Sequence, residues 1–162
     1  MNGMTRRERQ VTDMNEIIKI LDNSKVVHIG MIDGDEPYVV PMNYGYTLEG
    51  EKLTLWLHGA RRGRKMDAMA RNPKVFFEME YGITPFEGDV ACKYGITYSS
   101  IMGRGIAHII EDIEEKKSAL TFLMKTQTGK DFGFEDKMAE VVGVIRIDVS
   151  EYTAKCRPLP KK

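Results

Sequence analysis

Residues 25–58 decide the fold. They read Lys25-Val26-Val27-His28-Ile29-Gly30-Met31-Ile32, then Asp33-Gly34, then Pro37-Tyr38-Val39-Val40-Pro41-Met42-Asn43-Tyr44-Gly45-Tyr46-Thr47, then Glu49-Gly50, then Leu53-Thr54-Leu55-Trp56-Leu57-His58. β-Branched, aromatic and apolar runs are separated by Asp-Gly and Glu-Gly, which are tight-turn signals. In the third run, Leu53, Leu55 and Leu57 fall on one face, and Thr54, Trp56 and His58 on the other. Three strands joined by tight turns make an antiparallel meander.

Working outward, residues 74–80 alternate Val75, Phe77 and Met79 and predict a fourth strand. Residues 98–110 predict a long fifth strand, with Gly103 and Gly105 marking a bend or bulge. Residues 144–149 predict a sixth. Helices are few. Asp13 with Glu16 forms a capping box ahead of Met14, Ile17, Ile18 and Leu21, one apolar stripe. Residues 62–71 predict a short helix with Met66, Met69 and Ala70 inward, stopped by Asn72-Pro73. Asp112 with Glu115 caps another, carrying Leu120, Leu123 and Met124 and ended by Gly129. Residues 134–142 predict a fourth. Residues 81–94 mix Gly, Pro and polar groups and read as a loop. Strands do not alternate with helices, so a parallel sheet is disfavoured. The expectation is a mainly β protein, a closed antiparallel six-stranded β-barrel with a few flanking helices.

Residues 1–162 read as a single domain, long enough to bury a core without disulfide or metal staples. Basic and acidic residues cancel at 24 each, which argues against bulk nucleic-acid or anionic-membrane binding. No apolar run is long enough to span a membrane. Residues 1–10 lack the apolar centre of a secretory signal. Residues 5–10, with Arg6, Arg7 and Arg9, read as a solvated tail or a subunit-contact arm. Cys92 and Cys156 match no metal or redox spacing and read as free thiols in a reducing cytoplasm.

The residues with most chemistry are Leu57-His58-Gly59-Ala60-Arg61-Arg62-Gly63-Arg64-Lys65. They join a strand end to a helix start. Arg61, Arg62, Arg64 and Lys65 crowd positive charge, which an anion would relieve. Glycines let backbone N–H groups approach, and the helix start adds its positive dipole end. On these grounds an anion site and a solvated basic turn both stay open. His28 and His108 lie in apolar strands and read as packed, hydrogen-bonded residues. Three dispersed histidines without clustered carboxylates give no zinc pattern, so no metal is expected. Trp56 reads as core or interface packing.

Four ordered pieces carry a resemblance: residues 38–46, Leu57-His58-Gly59-Ala60, Gly63-Arg64-Lys65 and Asn72-Pro73-Lys74-Val75. Together they resemble the pyridoxamine 5′-phosphate oxidase-like superfamily of FMN-binding split barrels. Arg6-Arg7, Thr12-Asp13 and residues 98–105 resemble its nitroimidazole-resistance, nitroimidazole reductase-like branch. The resemblance spans roughly residues 5–150. It alone implies that the six-stranded β-barrel is split, and it implies a homodimer with FMN at the subunit interface. Arg64 and Lys65, with Gly63, would grip the FMN phosphate. His58, Gly59 and Ala60 would add contacts at the strand end, His58 to cofactor or substrate. Val40, Pro41, Met42 and Asn43 would run beside the flavin ring, and Ser99 and Ser100 would approach from the long strand.

The implied activity is flavin-dependent reduction of small, nitroaromatic-like acceptors, with NADH or NADPH as one donor. Alternatives are a non-catalytic flavin- or haem-binding protein and a deazaflavin-dependent reductase. One departure is plain. The vitamin-forming oxidases end in a motif with Trp and Arg, whereas this chain ends Cys156-Arg157-Pro158-Leu159-Pro160, with Trp56 its only tryptophan.

Overall fold

The Asp13 side chain accepts a hydrogen bond from the Glu16 N–H at 3.1 Å and so starts helix α1 (Met14–Asn23). Its stripe buries Ile17, Ile20 and Leu21. In this computed structural model, which describes residues 5–160, a 3-10 turn (Arg7–Arg9) and strand β1 (Gln10–Val11) come before that helix. The charged leader is therefore tied to the sheet, and its residues 1–4 lie outside the described residues.

The remaining elements are β2 (Val27–Asp33), β3 (Glu36–Met42), β4 (Tyr44–Glu49), β5 (Lys52–Gly59), α2 (Arg64–Arg71), β6 (Lys74–Phe86), a second 3-10 turn (Ala91–Lys93), β7 (Gly95–Ile110), α3 (Ile113–Thr128), α4 (Asp136–Glu140) and β8 (Gly143–Arg157). The strand order is β3-β2-β6-β7-β8-β5-β4, with β1 on β8, and neighbours pair antiparallel. The class is the expected one, but there are eight strands rather than six. One addition is β1. The other arises at Asn43, where the strand expected over residues 37–47 divides into β3 and β4. These two are consecutive in sequence yet form the opposite edges of the sheet. The barrel is thus closed by the backbone at Asn43 and not by a ladder of hydrogen bonds, which makes it split.

Residues 81–94 are less of a loop than expected. β6 runs to Phe86 and β7 begins at Gly95, paired through Thr84–Thr97 and Pro85–Ile96. This hairpin leaves Ile83 and Ile96 exposed, so no buried face imposes an alternating pattern on it. β8 likewise continues past residue 149 to Arg157, because β7 and β1 pair with its second half. The expected irregularity near Gly103 and Gly105 is present as a register shift at Arg104/Gly105. The short helix begins at Arg64, not Arg62, and buries Ala68 beside Met66 and Met69, leaving Ala70 exposed. The helix expected over residues 134–142 contracts to α4.

Inward residues of the strands, among them Ile29, Leu55, Leu57, Phe77, Ile101 and Ile147, form the core under α1 and α2. Burying each such side chain contributes about 1.5–3 kcal/mol before entropy is counted. The Tyr44 hydroxyl donates to the Leu21 carbonyl at 2.6 Å and ties β4 to α1. Asp112 caps α3 by accepting from the Glu115 N–H at 2.9 Å. This helix packs outside β4 and β5, where Trp56 meets Phe122 with ring centroids 5.6 Å apart and donates to Thr47 Oγ1 at 3.3 Å. Trp56 is thus packing, as expected. Gly45 permits the close approach of α3, since a Cβ there would stand 2.3 Å from the Leu123 nitrogen.

Candidate functional site

Three segments converge at one end of the barrel: the end of β5, the loop Ala60–Gly63 and the start of α2. Gly63 adopts φ +127° at the N-cap of α2, a conformation that favours glycine, and its carbonyl accepts from the N–H groups of Met66 and Asp67. The first N–H groups of the helix have no intrahelical acceptor and face outward.

Lys65 folds back over β5. A Cβ built on Gly59 would lie 3.1 Å from Lys65 Cε, 3.2 Å from its Nζ and 3.8 Å from Met42 Cε. The absent side chain at Gly59 is what gives the ammonium this position. Among the described residues Lys65 forms no ion pair. His58 is half-buried, and its covered Nδ1 has no hydrogen-bond partner. Burial, and then the Lys65 ammonium, hold its pKa below the ordinary imidazole value. At neutral pH His58 is therefore neutral.

Arg64 is placed differently. Its Nε donates to Asp33 Oδ2 at 2.7 Å and its Nη2 to Glu36 Oε2 at 3.1 Å, and its guanidinium lies 4.4 Å from the centre of the Tyr38 ring. Arg71 also pairs with Asp33. These arginines hold the Asp33 carboxyl below the usual carboxylate range. Arg64 is thus partly neutralised by the β2–β3 turn, whereas Lys65 is free to meet an anion. The sequence does carry a signal for this pairing, an acidic turn Asp33-Gly34-Asp35-Glu36, but its contact with α2 is made only by the fold.

On the outer side of the loop, Ala60, Arg61, Arg62, Glu111, Lys116 and Gly143 line a cavity of about 620 Å³. Lys116 is buried and donates to the Val142 carbonyl at 3.2 Å. Sequence reading missed it, because a lysine on a helix is ordinarily solvated.

β3 places Val40 and Met42 toward the core and leaves Pro41 and Asn43 exposed. As an edge strand it carries unpaired backbone groups along its free side. These residues, His58, Gly59, Ala60, Gly63 and Lys65 share one end of the barrel. Ser99 and Ser100 do not join them: their strand lies three steps across the sheet from β3, about 14 Å at the usual strand spacing. Ser100 is buried, and Ser99 Oγ is 3.3 Å from Cys156 Sγ. Both cysteines are free.

His28 and His108 differ from expectation. Neither is packed in the core: each faces outward from its strand, His28 beside Glu78 at 3.5 Å and His108 beside Asp148 at 3.1 Å. Burial and the neighbouring Glu80 push Glu78 up to about 8.

Residues 13–156 match the family model described as pyridoxamine 5′-phosphate oxidase, and the chain belongs to that family. It is 32% identical to a candidate 5-nitroimidazole antibiotic resistance protein from Bacteroides thetaiotaomicron, over 91% of this chain and 86% of that one, with a TM-score of 0.77. The flavocytochrome Anf3 from Azotobacter vinelandii superposes with a TM-score of 0.77 at 20% identity, covering 98% of this chain and 73% of that one. A FAD and heme binding protein from Mycobacterium smegmatis superposes at 0.78 with 14% identity, covering 95% and 76%. At such identities the likeness of these two shows the fold alone. No protein of curated function matches the chain. No helix among the described residues is long and apolar enough to cross a membrane.

Proposed function

We propose that the chain binds FMN and serves as a flavin-dependent oxidoreductase, reducing small nitroaromatic-like acceptors with electrons from NADH or NADPH, as a homodimer in the cytoplasm. The observation that carries this reading is the Lys65 ammonium, without an ion pair among the described residues, poised at a helix start over the bare backbone of Gly59 and beside the His58 Nδ1, which has no hydrogen-bond partner among them. A phosphate would meet a cation and free helix N–H groups there. The family membership and the 32% identity to the Bacteroides protein support the class of chemistry.

FMN supplies the electron transfer when bound, and the protein binds, orients and tunes it. Lys65 and the backbone at Gly63 hold the phosphate. Arg64 reaches it only by leaving Asp33 and Glu36, so Lys65 is the principal grip. Val40, Pro41, Met42 and Asn43 offer backbone groups to the ring, and His58, Gly59 and Ala60 line its β5 side. His58, kept neutral, can accept or donate one hydrogen bond without adding charge.

In such a homodimer Ser99 and Ser100 would approach the cofactor from the long strand of the second subunit. The outer face of β2, β3, β6 and β7 exposes Ile32, Val39, Phe76 and Ile106 around a groove of about 590 Å³. A second copy of the chain would cover this apolar surface. The two free cysteines suit a reducing compartment.

The visible spectrum of the purified protein, followed by chromatography of the released chromophore, tests the cofactor. FMN is expected, while a Soret band or an extracted deazaflavin would redirect the assignment. Anaerobic bleaching by NADH or NADPH and reoxidation by a nitroimidazole test the reaction. A flavin that neither donor reduces would exclude that cycle but leave binding intact. Light scattering tests the dimer.

A further inference from the structure

Apart from the proposed flavin site, one group of side chains has the donor chemistry of a metal centre. His28 on β2 stands directly opposite Glu78 on β6, and Glu80 follows two residues further along the same face. One donor atom from each, an imidazole nitrogen and two carboxylate oxygens, lies within 4.8 Å of the other two. All three residues are half-buried. The group is more than a patch of negative charge, because an imidazole completes it, the β2–β6 register sets His28 opposite Glu78, and the β6–β7 ladder fixes Glu80.

The spacing can be compared with what an ion needs. Two donors each about 2.1 Å from a tetrahedral ion stand about 3.4 Å apart. His28 Nδ1 and Glu78 Oε2 are 3.5 Å apart. That pair is already at the required separation, and a Glu80 carboxylate oxygen lies within 4.8 Å of both. Glu80 also carries an oxygen, Oε2, that is covered by protein, and the Glu78 carboxyl is the hydrogen-bonding neighbour of the Glu80 side chain. Two carboxylates this close repel unless a proton or a cation lies between them, and a divalent ion would take the place of the proton.

We propose that His28, Glu78 and Glu80 bind one first-row divalent cation of the zinc type. The nitrogen donor and the absence of thiolates favour such an ion over magnesium or calcium on one side, and over soft-metal sites on the other. Three protein ligands leave a coordination position open on the side away from the sheet, the face that the second copy would cover in the proposed dimer. The ion would pin β2 to β6 through their side chains. The proposal does not rest on the flavin reading, since all three donors belong to one chain and none is among the proposed cofactor contacts.

Isothermal titration calorimetry of the chelator-treated protein with zinc chloride tests it. One ion per chain is expected. His28→Gln, Glu78→Gln and Glu80→Gln should each weaken binding at least tenfold. His108→Gln, which alters the other outward histidine–carboxylate pair, should leave it unchanged. Absence of saturable binding, or equal binding by the His28→Gln and Glu78→Gln proteins, would overturn the proposal. Imidazole NMR of the unsubstituted protein gives an answer that does not depend on any variant folding: zinc must shift the His28 ring signals, and unchanged His28 signals at saturating zinc refute the site.

Discussion

Lys65 and Arg64 are neighbouring cations with different partners, and replacing each by alanine separates their roles. Lys65→Ala removes an ammonium that forms no ion pair among the described residues. Fold stability should therefore change little. A charge-assisted hydrogen bond to a phosphate is worth about 1.5–3 kcal/mol, so FMN affinity should fall by roughly 10- to 150-fold. Arg64→Ala removes the contacts to Asp33, Glu36 and the Tyr38 ring. It should loosen the β2–β3 turn against α2 and weaken FMN less than Lys65→Ala does. Quenching of flavin fluorescence on titration, at one fixed salt concentration, reads both affinities.

A second readout comes from His58. Its pKa is held down partly by the Lys65 ammonium, so Lys65→Ala should let the imidazole titrate at higher pH. NMR of the ring protons would follow that shift. Equal FMN affinity in the wild-type and Lys65→Ala proteins would refute the assignment of Lys65 to the phosphate. An unmoved His58 titration would refute the placement of its ammonium.

Other outcomes follow from the fold. Gly45→Ala forces a Cβ to within 2.3 Å of the Leu123 backbone, so α3 must lift from β4; a loss of at least about 1–3 kcal/mol is expected in urea unfolding. Tyr44→Phe strips the buried Leu21 carbonyl of its donor and should cost about 1–3 kcal/mol in the same assay. The depressed pKa of Asp33 means that its contribution to stability is present above the unfolded carboxyl pKa and is lost as pH falls through the lower folded value. Asp33→Asn should flatten that acid limb of the stability–pH curve, as followed by thermal melts from neutral to acid pH.

Local chemistry made much of the barrel readable. Asp13 with Glu16 and Asp112 with Glu115 cap their helices as the sequence indicates, because a capping box involves residues only three apart. The strands with one buried face were readable for a similar reason: Val75, Phe77 and Met79 alternate because one side of β6 is core. The exposed hairpin at residues 81–97 and the second half of β8 were not, since their strand character comes from partners distant in the chain. The same distinction runs through the site. Glycine and charge marked the segment 57–65, but that charge is divided, Lys65 remaining unpaired while Asp33 and Glu36 claim Arg64. Only tertiary structure decides that. His28 beside Glu78 and Glu80 was hidden for the same reason, since cross-strand neighbours 50 residues apart leave no spacing to find.

The junction at Asn43 has a consequence for how the chain could be rewired. The edge strands β3 and β4 share no ladder, so at Asn43 it is the covalent chain that joins them where strand hydrogen bonds do not. Gln10 lies opposite Lys155 on antiparallel strands, which brings the two ends of the described chain near each other. A circular permutant that begins at Tyr44, ends at Asn43 and joins the old termini through a short linker would keep every strand pairing of the parent. It should fold to the same barrel with a seam free to widen, turning the mouth beside the proposed cofactor into an adjustable gap.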